Sequence, residues 1–257
     1  MSFLKKTHMK REIFVILMAF HLGVFGQKTT GEIHFEERLS FGKSIVRNWV
    51  FYFDKDNSLY ELKNSSLNVE TKNENETIIR TKIDLFYYSS AKDKLLVGQK
   101  KSAATPYLVH ETIPEIDWIL ETTTKTITEF TCQKATGKFR GRTYTIWFTK
   151  DIPIQSGPWK LFGAPGAILE YYDETGQIFC AASSIELNEK VNVTHHINRL
   201  EKKGKSISIN EFVKIKNNES EEILKMMLLK LGREAKIHKI EPLKRQGYEL
   251  IYEWEID

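Results

Sequence analysis

TITEFTCQKATGKFRGRTYTIWFTK, residues 126–150, decides the fold. Thr126–Ala135 and Thr143–Lys150 are dense in β-branched and aromatic residues, which suit a pleated, half-buried surface. Between them, Thr136-Gly137-Lys138 and Arg140-Gly141 carry turn chemistry. The stretch reads as two antiparallel strands on a tight connection. Upstream, Asp117–Thr122 reads as a third strand. Downstream, Ala167–Tyr172 and Gln177–Leu187 form a further pair through Asp173-Glu174-Thr175-Gly176, and Val191–Ile197 reads as one more strand.

The N-terminal half repeats the theme. Gly31–Glu36 alternates polar and apolar, and Ile45–Phe53 ends on the turn residues Asp54-Lys55-Asp56-Asn57. Thr77–Tyr88, Lys94–Lys100 and Pro106–Thr112 add strands, with polar Leu67–Glu76 as a long loop. Consecutive strands on short links make an antiparallel meander, so the sequence predicts a mainly β (α+β) domain built on a curved sheet or open β-barrel.

The period changes after residue 205. Ser208-Ile209-Asn210-Glu211 is a capping box, with Ile207 and Phe212 placed for a hydrophobic staple. A short helix is expected there. A second is expected from Asn218 to Leu231, with Glu219, Glu221 and Glu222 in its first turn and Gly232 as its stop. Ile223, Leu224, Met227, Leu228 and Leu231 form one apolar stripe, read first as core packing and second as a docking face. In Tyr248–Ile256, Tyr248, Leu250, Tyr252, Trp254 and Ile256 alternate with Glu249, Glu253 and Glu255, the pattern of a strand returning to the sheet.

A chain of 257 residues with 41% hydrophobic and 28% charged residues suits one sizeable core, and no linker divides it. The formal charge of +4 is concentrated at the start, where Lys5, Lys6, Lys10 and Arg11 face only Glu12. Without that stretch about +1 remains, which offers no electrostatic footprint for nucleic acid. The basic cluster precedes an apolar run, Ile13–Phe25, and Val24-Phe25-Gly26 offers a cleavage site before Gln27. This is the order of a signal peptide over residues 1–26, with Met9 as an alternative start. At ~1.5 Å per residue the run spans about 20 Å, short of the ~30 Å bilayer core. The remainder, 27–257, is expected as a single periplasmic or secreted domain without a membrane span. Cys132 and Cys180 both sit in strand-like runs; a disulfide and two buried thiols are both open readings.

The densest feature is Trp147–Tyr172. Three prolines (Pro153, Pro158, Pro165) and three glycines (Gly157, Gly163, Gly166) fall within 14 residues. Proline fixes φ and glycine frees it, so the segment is a rigid corner. Ala164-Pro165-Gly166-Ala167 fits a type II turn. Trp147, Trp159 and Phe162 give the corner aromatic walls, and Asp151 stands at its entrance. It reads either as a structural corner or as a binding surface formed by Trp147, Asp151, Gly157, Pro158, Trp159, Phe162, Gly163, Pro165 and Gly166.

Gly163-Ala164-Pro165-Gly166-Ala167-Ile168 is similar to the motif that names the GLPGLI family. Trp118-Ile119-Leu120, Lys125-Thr126-Ile127, Cys132-Gln133-Lys134-Ala135, Gly141-Arg142-Thr143-Tyr144, Trp147-Phe148-Thr149, Asp151-Ile152-Pro153-Ile154 and Gly157-Pro158 keep that family's order and spacing. The resemblance is strong over 106–187 and extends from Gly31. It implies an exported protein of Gram-negative bacteria and brings no catalytic residues. Ala164 and Ala167 stand where the family motif has leucine, so either neighbouring side chains fill the space or a pocket is enlarged there.

Reaction chemistry is sparse. There is no HExxH, CxxC, Gly-x-Ser-x-Gly or phosphate loop, and no cofactor or metal is implied. His195-His196 and His110-Glu111 are adjacent pairs that a strand would turn to opposite faces. Cys132 on an apolar strand would be a quiet thiol. The expected function is a non-enzymatic ligand- or partner-binding module using the Trp147–Ile168 loop. The alternatives are a hydrolase or redox enzyme using Asp151, His110 or Cys132, and a subunit of an outer-membrane assembly docking through Asn218–Leu231. The partner is expected to be an envelope ligand or an outer-membrane protein.

Overall fold

A computed structural model of the chain describes residues 30–65, 85–102, 105–200, 202, 204–230 and 243–256. The leader, the Leu67–Glu76 loop and most of the Thr77–Tyr88 strand lie outside them.

Two meanders make up the sheet. The first runs β1 (Gly31–Phe41), β2 (Lys43–Phe53), β3 (Asn57–Ser65), β4 (Phe86–Ser90), β5 (Leu95–Ser102) and β6 (Thr105–Thr112). The second runs β7 (Ile119–Ile127), β8 (Phe130–Phe139), β9 (Arg142–Thr149), β10 (Ala167–Asp173) and β11 (Ile178–Leu187). A seam between β1 and β11 joins them, and β12 (Lys205–Ser208) adds to β6. The result is one 12-stranded sheet in the order β12-β6-β5-β4-β3-β2-β1-β11-β10-β9-β8-β7, not closed into a barrel. Every pairing is antiparallel except β12 with β6. The β8–β9 turn forms where Arg140 and Gly141 both take positive φ, at 43° and 82°; Gly137 stays within β8.

Two helices follow β11, but they divide the chain differently from the two expected. Val191–Ile197 is not a strand but begins α1 (Val193–Arg199). The Asn192 side chain caps it by accepting from the His195 amide at 2.9 Å, and Val193 and Ile197, one helical turn apart, are buried. The tail forms one helix, α2 (Ile209–Lys230), because no Gly or Pro interrupts the expected break at Asn218. The Ser208–Glu211 capping box is made in both directions, at 3.2 Å and 2.9 Å. Tyr248–Ile256 is no strand: it is irregular and ends in a 3-10 turn at Glu253–Glu255.

The core lies on one face of the sheet. Ile33, Phe35 and Leu39 of β1, Phe51 of β2, Tyr60 of β3 and Tyr144, Ile146 and Phe148 of β9 point into it. Trp49 stacks on Tyr60 at 4.4 Å between ring centres. Ile152, Ile154, Trp159, Leu161 and Ala164 of the Pro/Gly corner belong to the same cluster. α1 packs on the opposite face, against Val50, Tyr52, Leu59 and Phe86. The cysteines are buried free thiols, correcting the disulfide reading. β8 and β11 are separated by β9 and β10, so Cys132 and Cys180 stand roughly 14 Å apart at ~4.8 Å per strand, beyond the reach of an S–S bond.

Candidate functional site

After β9 the chain turns back over the core face before β10. Backbone bonds pin this corner: Leu161 N to Pro158 O at 3.2 Å, Gly163 N to Gln155 O at 3.0 Å and Ala167 N to Ile152 O at 2.9 Å. Trp118 Nε1 donates to Phe162 O at 2.8 Å. Gly166 does not take the positive φ of a type II turn; the reason for glycine is proximity. A Cβ there would stand 1.9 Å from the Thr149 carbonyl oxygen, and one at Gly157 would stand 2.0 Å from that of Leu161.

The corner turns its aromatic residues inward. Trp147, Gly157, Pro158, Trp159, Phe162 and Gly166 are buried, while Asp151, Gly163 and Pro165 are exposed. Ala164 and Ala167 are buried, and both belong to the core cluster. Trp159 takes φ 56°, an unfavourable region for a residue with a side chain. This sets its indole against Tyr248, with centres 4.7 Å apart, and near Phe139 at 5.7 Å.

The next residue, Lys160, is fully buried and enters an ionic cluster that the sequence did not announce. Its ammonium meets Glu111 of β6 and lies 2.6 Å from Glu249 Oε1. Arg140 pairs with Glu249, lies 2.8 Å from Glu111 Oε2 and reaches Glu253 at 2.9 Å. Lys100 donates to Glu249 at 2.9 Å. Three cations thus share two buried carboxylates. Burial alone would raise the Glu249 pKa, but Lys100, Lys160 and Arg140 hold it well below the ordinary value. Burial lowers Lys160, and Glu111 and Glu249 only partly offset it. Lys100 goes the other way: burial opposes its charge, and Glu249, Tyr87, Tyr252 and Glu111 together more than compensate. In a cluster with one cation too many, the most enclosed ammonium is the one held least firmly.

A second polar node lies deeper. Glu37, on the core face of β1, accepts from Trp49 Nε1 and from Tyr171 Oη, each at 3.0 Å, and from Tyr248 Oη. Tyr248 and Glu249 therefore anchor the C-terminal segment at adjacent positions. The alternation set Glu249 on the face opposite Tyr248, yet both residues are tied into the interior by these partners. Glu37 was readable, since Ile33, Phe35, Glu37 and Leu39 share one period-2 face; Lys160 and Glu249 gave no such signal.

Where corner, C-terminal segment and α2 meet, there is a cleft of about 1060 Å³. Trp159, Tyr248, Tyr252 and Glu249 line it from below the helix, and Phe212 and Leu224 line it from α2. Of the residues singled out in the corner, Trp159 alone reaches it. Lys101 and Lys244 are exposed charges at its border.

The candidate catalytic side chains do not converge. Asp151 is exposed and bonds Thr149 Oγ1 at 3.3 Å; His110 faces Ser206 Oγ at 2.5 Å; Cys132 is buried in β8. Burial pushes the Cys132 thiol up to about 11, out of the range of a nucleophile at neutral pH. His195 and His196 lie on α1 rather than a strand, where His196 stacks on Tyr52 at 3.8 Å. Among the described residues no group of side chains could hold a metal ion, and no helix is long and apolar enough to cross a membrane.

Residues 50–209 match the family model described as N-glycanase peptide, N-terminal domain. This chain belongs to that family. The match spans the corner and most of the sheet. Among solved structures, PNGF-II superposes on this N-glycanase-type domain with a TM-score of 0.51 at 13% identity, over 72% of this chain and 32% of that one. The chain thus spans about a third of the length of PNGF-II, and at this identity the likeness shows the fold alone. An uncharacterized conserved protein from Thermus thermophilus gives 0.39 at 12% identity, covering 70% of this chain and 91% of its own. A LolA superfamily protein from Nitrosomonas europaea gives 0.28 at 8%, covering 63% and 87%. No curated protein sequence matches the chain.

Proposed function

We propose that this domain is a non-enzymatic binding module of an exported protein, taking its ligand or partner in the cleft where Trp159 meets Tyr248, Tyr252 and α2. The carrying observation is the cleft itself. It is the size of a ligand site, and its lining is shared between aromatic and apolar side chains such as Trp159, Tyr248, Tyr252 and Phe212 and an equal number of polar and charged ones. His110 on β6 stands far across the sheet order from Cys132 on β8, and Asp151 is exposed while Cys132 is buried, which supports binding over the hydrolase or redox alternative. The family description supports a modular role, since it names an N-terminal domain and PNGF-II extends well beyond the part matched. Export rests on the basic, apolar and small-residue order of residues 1–26. The ordered motifs at 106–187 fall inside the matched stretch, and we propose that the chain is also of the GLPGLI type.

From the N-glycanase name we take glycopeptides as the first ligand class to test. Intrinsic Trp fluorescence and calorimetry with an N-glycopeptide, the same peptide without its glycan, and envelope lipids should give a saturable response to at least one. Ser220→Trp, on the cleft side of α2, should abolish it while the melting temperature is kept. No response to any of these, or one untouched by Ser220→Trp, would sink the reading.

A further inference from the structure

Three elements wall the cleft beside the corner, and each brings it positive charge. β5 contributes Lys100 and Lys101, α2 contributes Lys216, and the C-terminal segment contributes Lys244 and Arg245. Against these the lining holds two acids, Glu221 and Glu249.

The charges differ in how far they are committed. Glu249 is ringed by Lys100, Lys160 and Arg140, so its charge is compensated before any ligand arrives. Arg245 is clamped on Glu255 through both terminal nitrogens, at 2.7 Å and 2.8 Å, and also donates to Asn217. Lys216 pairs with Glu219 at 2.7 Å, but both side chains are part-exposed, and a pair of that kind is worth little and exchanges readily. Lys101 and Lys244 are exposed, and among the described residues neither is held in an ion pair. Glu221 is the exposed acid of the lining. At 100° per residue it lies about 140° around α2 from Lys216, so the two stand on opposite borders of the helix wall. Two free ammonium groups and a third that is loosely held thus face one free carboxylate.

The rest of the lining narrows the ligand further. Leu85, Val213, Leu224, Leu243 and Leu250 join Trp159 and Tyr248 as apolar surface. A simple inorganic anion would leave that surface wet. A polyanion such as nucleic acid would need a row of phosphate contacts, which one cleft border does not supply. The volume of about 1060 Å³ suits a small molecule.

We propose that the cleft takes an amphiphilic anion, a small ligand with an apolar body and one acidic group. The body lies against Trp159, Tyr248 and Leu224, and the carboxylate, phosphate or sulfonate is met by the border lysines, Lys101 and Lys244 first. This names the ligand class of the cleft and rests on the cleft being the binding site.

Fluorescence titration with anilinonaphthalene sulfonate and its uncharged parent, phenylnaphthylamine, tests it, because the two share one body and differ by the sulfonate. The sulfonate should bind roughly ten-fold more tightly at low salt, and about 0.5 M sodium chloride should remove most of that difference. Lys101→Gln and Lys244→Gln should each weaken the sulfonate roughly five-fold and leave the parent unchanged. Lys230→Gln, outside the cleft, should alter neither. Dodecanoate should displace the bound sulfonate, and dodecanol should do so far less well. Ser220→Trp should abolish binding of both dyes. Equal affinity for the two dyes, both lost on Ser220→Trp, overturns this inference and leaves the cleft standing as a binding site. An effect of Lys230→Gln as large as that of Lys101→Gln overturns it too, since overall charge would then be what the dye reads. Binding of neither dye, or binding indifferent to Ser220→Trp, also overturns it, and in the latter case the dye lies outside the cleft.

Discussion

The Pro/Gly corner and the C-terminal segment lie side by side in the same core, both without regular structure, and are held by opposite means. The corner is fixed by backbone: carbonyls so close that only glycine fits at 157 and 166, and a ladder of amide bonds within the loop. The segment is fixed by side chains: Tyr248 on Glu37 and Glu249 among three cations. Irregular chain can thus be ordered either by excluding side chains or by burying charged ones, and the two should fail differently.

The largest expected effect falls on the segment. Glu249→Gln leaves Lys100, Lys160 and Arg140 with only Glu111 as a buried carboxylate and exposed Glu253 as a partner of Arg140, and should cost about 3–5 kcal/mol in urea unfolding. Gly166→Ala attacks the corner through backbone that cannot yield, at an expected cost of about 3 kcal/mol. Equal losses from Gly166→Ala and Gly166→Ser, with a smaller one from Gly163→Ala, would confirm that proximity rather than conformation sets the demand. Lys160→Met should be far milder, under about 1.5 kcal/mol, because it removes the most enclosed cation and leaves Lys100 and Arg140 on the two buried carboxylates. If it proves as damaging as Glu249→Gln, the charge count does not govern the cluster.

Acid should also separate the regions. Asp173 is lowered although burial acts to raise it, because Thr175, the Ile178 amide and Arg142 stabilise its charged form. Glu249 is lowered by its cations. Groups depressed in the fold contribute stability that is complete above the unfolded carboxylate values, about 4, and is lost as pH falls through the folded ones. Circular dichroism should show no loss down to about pH 5 and unfolding below about pH 4, with a shallower acid limb in Glu249→Gln. The smallest effect is expected at the thiols. With Cys132 pushed up to about 11 and Cys180 raised well above the ordinary thiol value by burial, native protein at neutral pH should resist iodoacetamide, and reductant should leave the melting temperature unchanged.

The contrast also sorts what was legible. Period-2 alternation in β8 and β9 and the turn residues Arg140-Gly141 carried the meander, because neighbouring strands pair locally. The corner announced itself through composition. Lys160 did not, since nothing in a lysine flanked by tryptophan and leucine says that two glutamates from distant elements await it. Glu249 was equally silent: its place in an alternating run does not name the cations that it meets. Val193 and Ile197 are spaced for either a strand or one turn of helix, and the sheet beneath them decided. The stripe on α2 was readable as apolar, but periodicity shows which side is greasy and not what covers it.

The β1–β11 seam bears on the order of assembly. Gly31 meets Leu187 and Leu39 meets Ile178, so the first described strand finds one of its two neighbours only after most of the chain is available. Until then the two meanders are separate ribbons with open edges, and closing a loop of about 150 residues is a slow, entropically opposed step. During synthesis, the two meanders can join at the middle of the sheet only once β11 has emerged, and β12 then adds to the edge at β6.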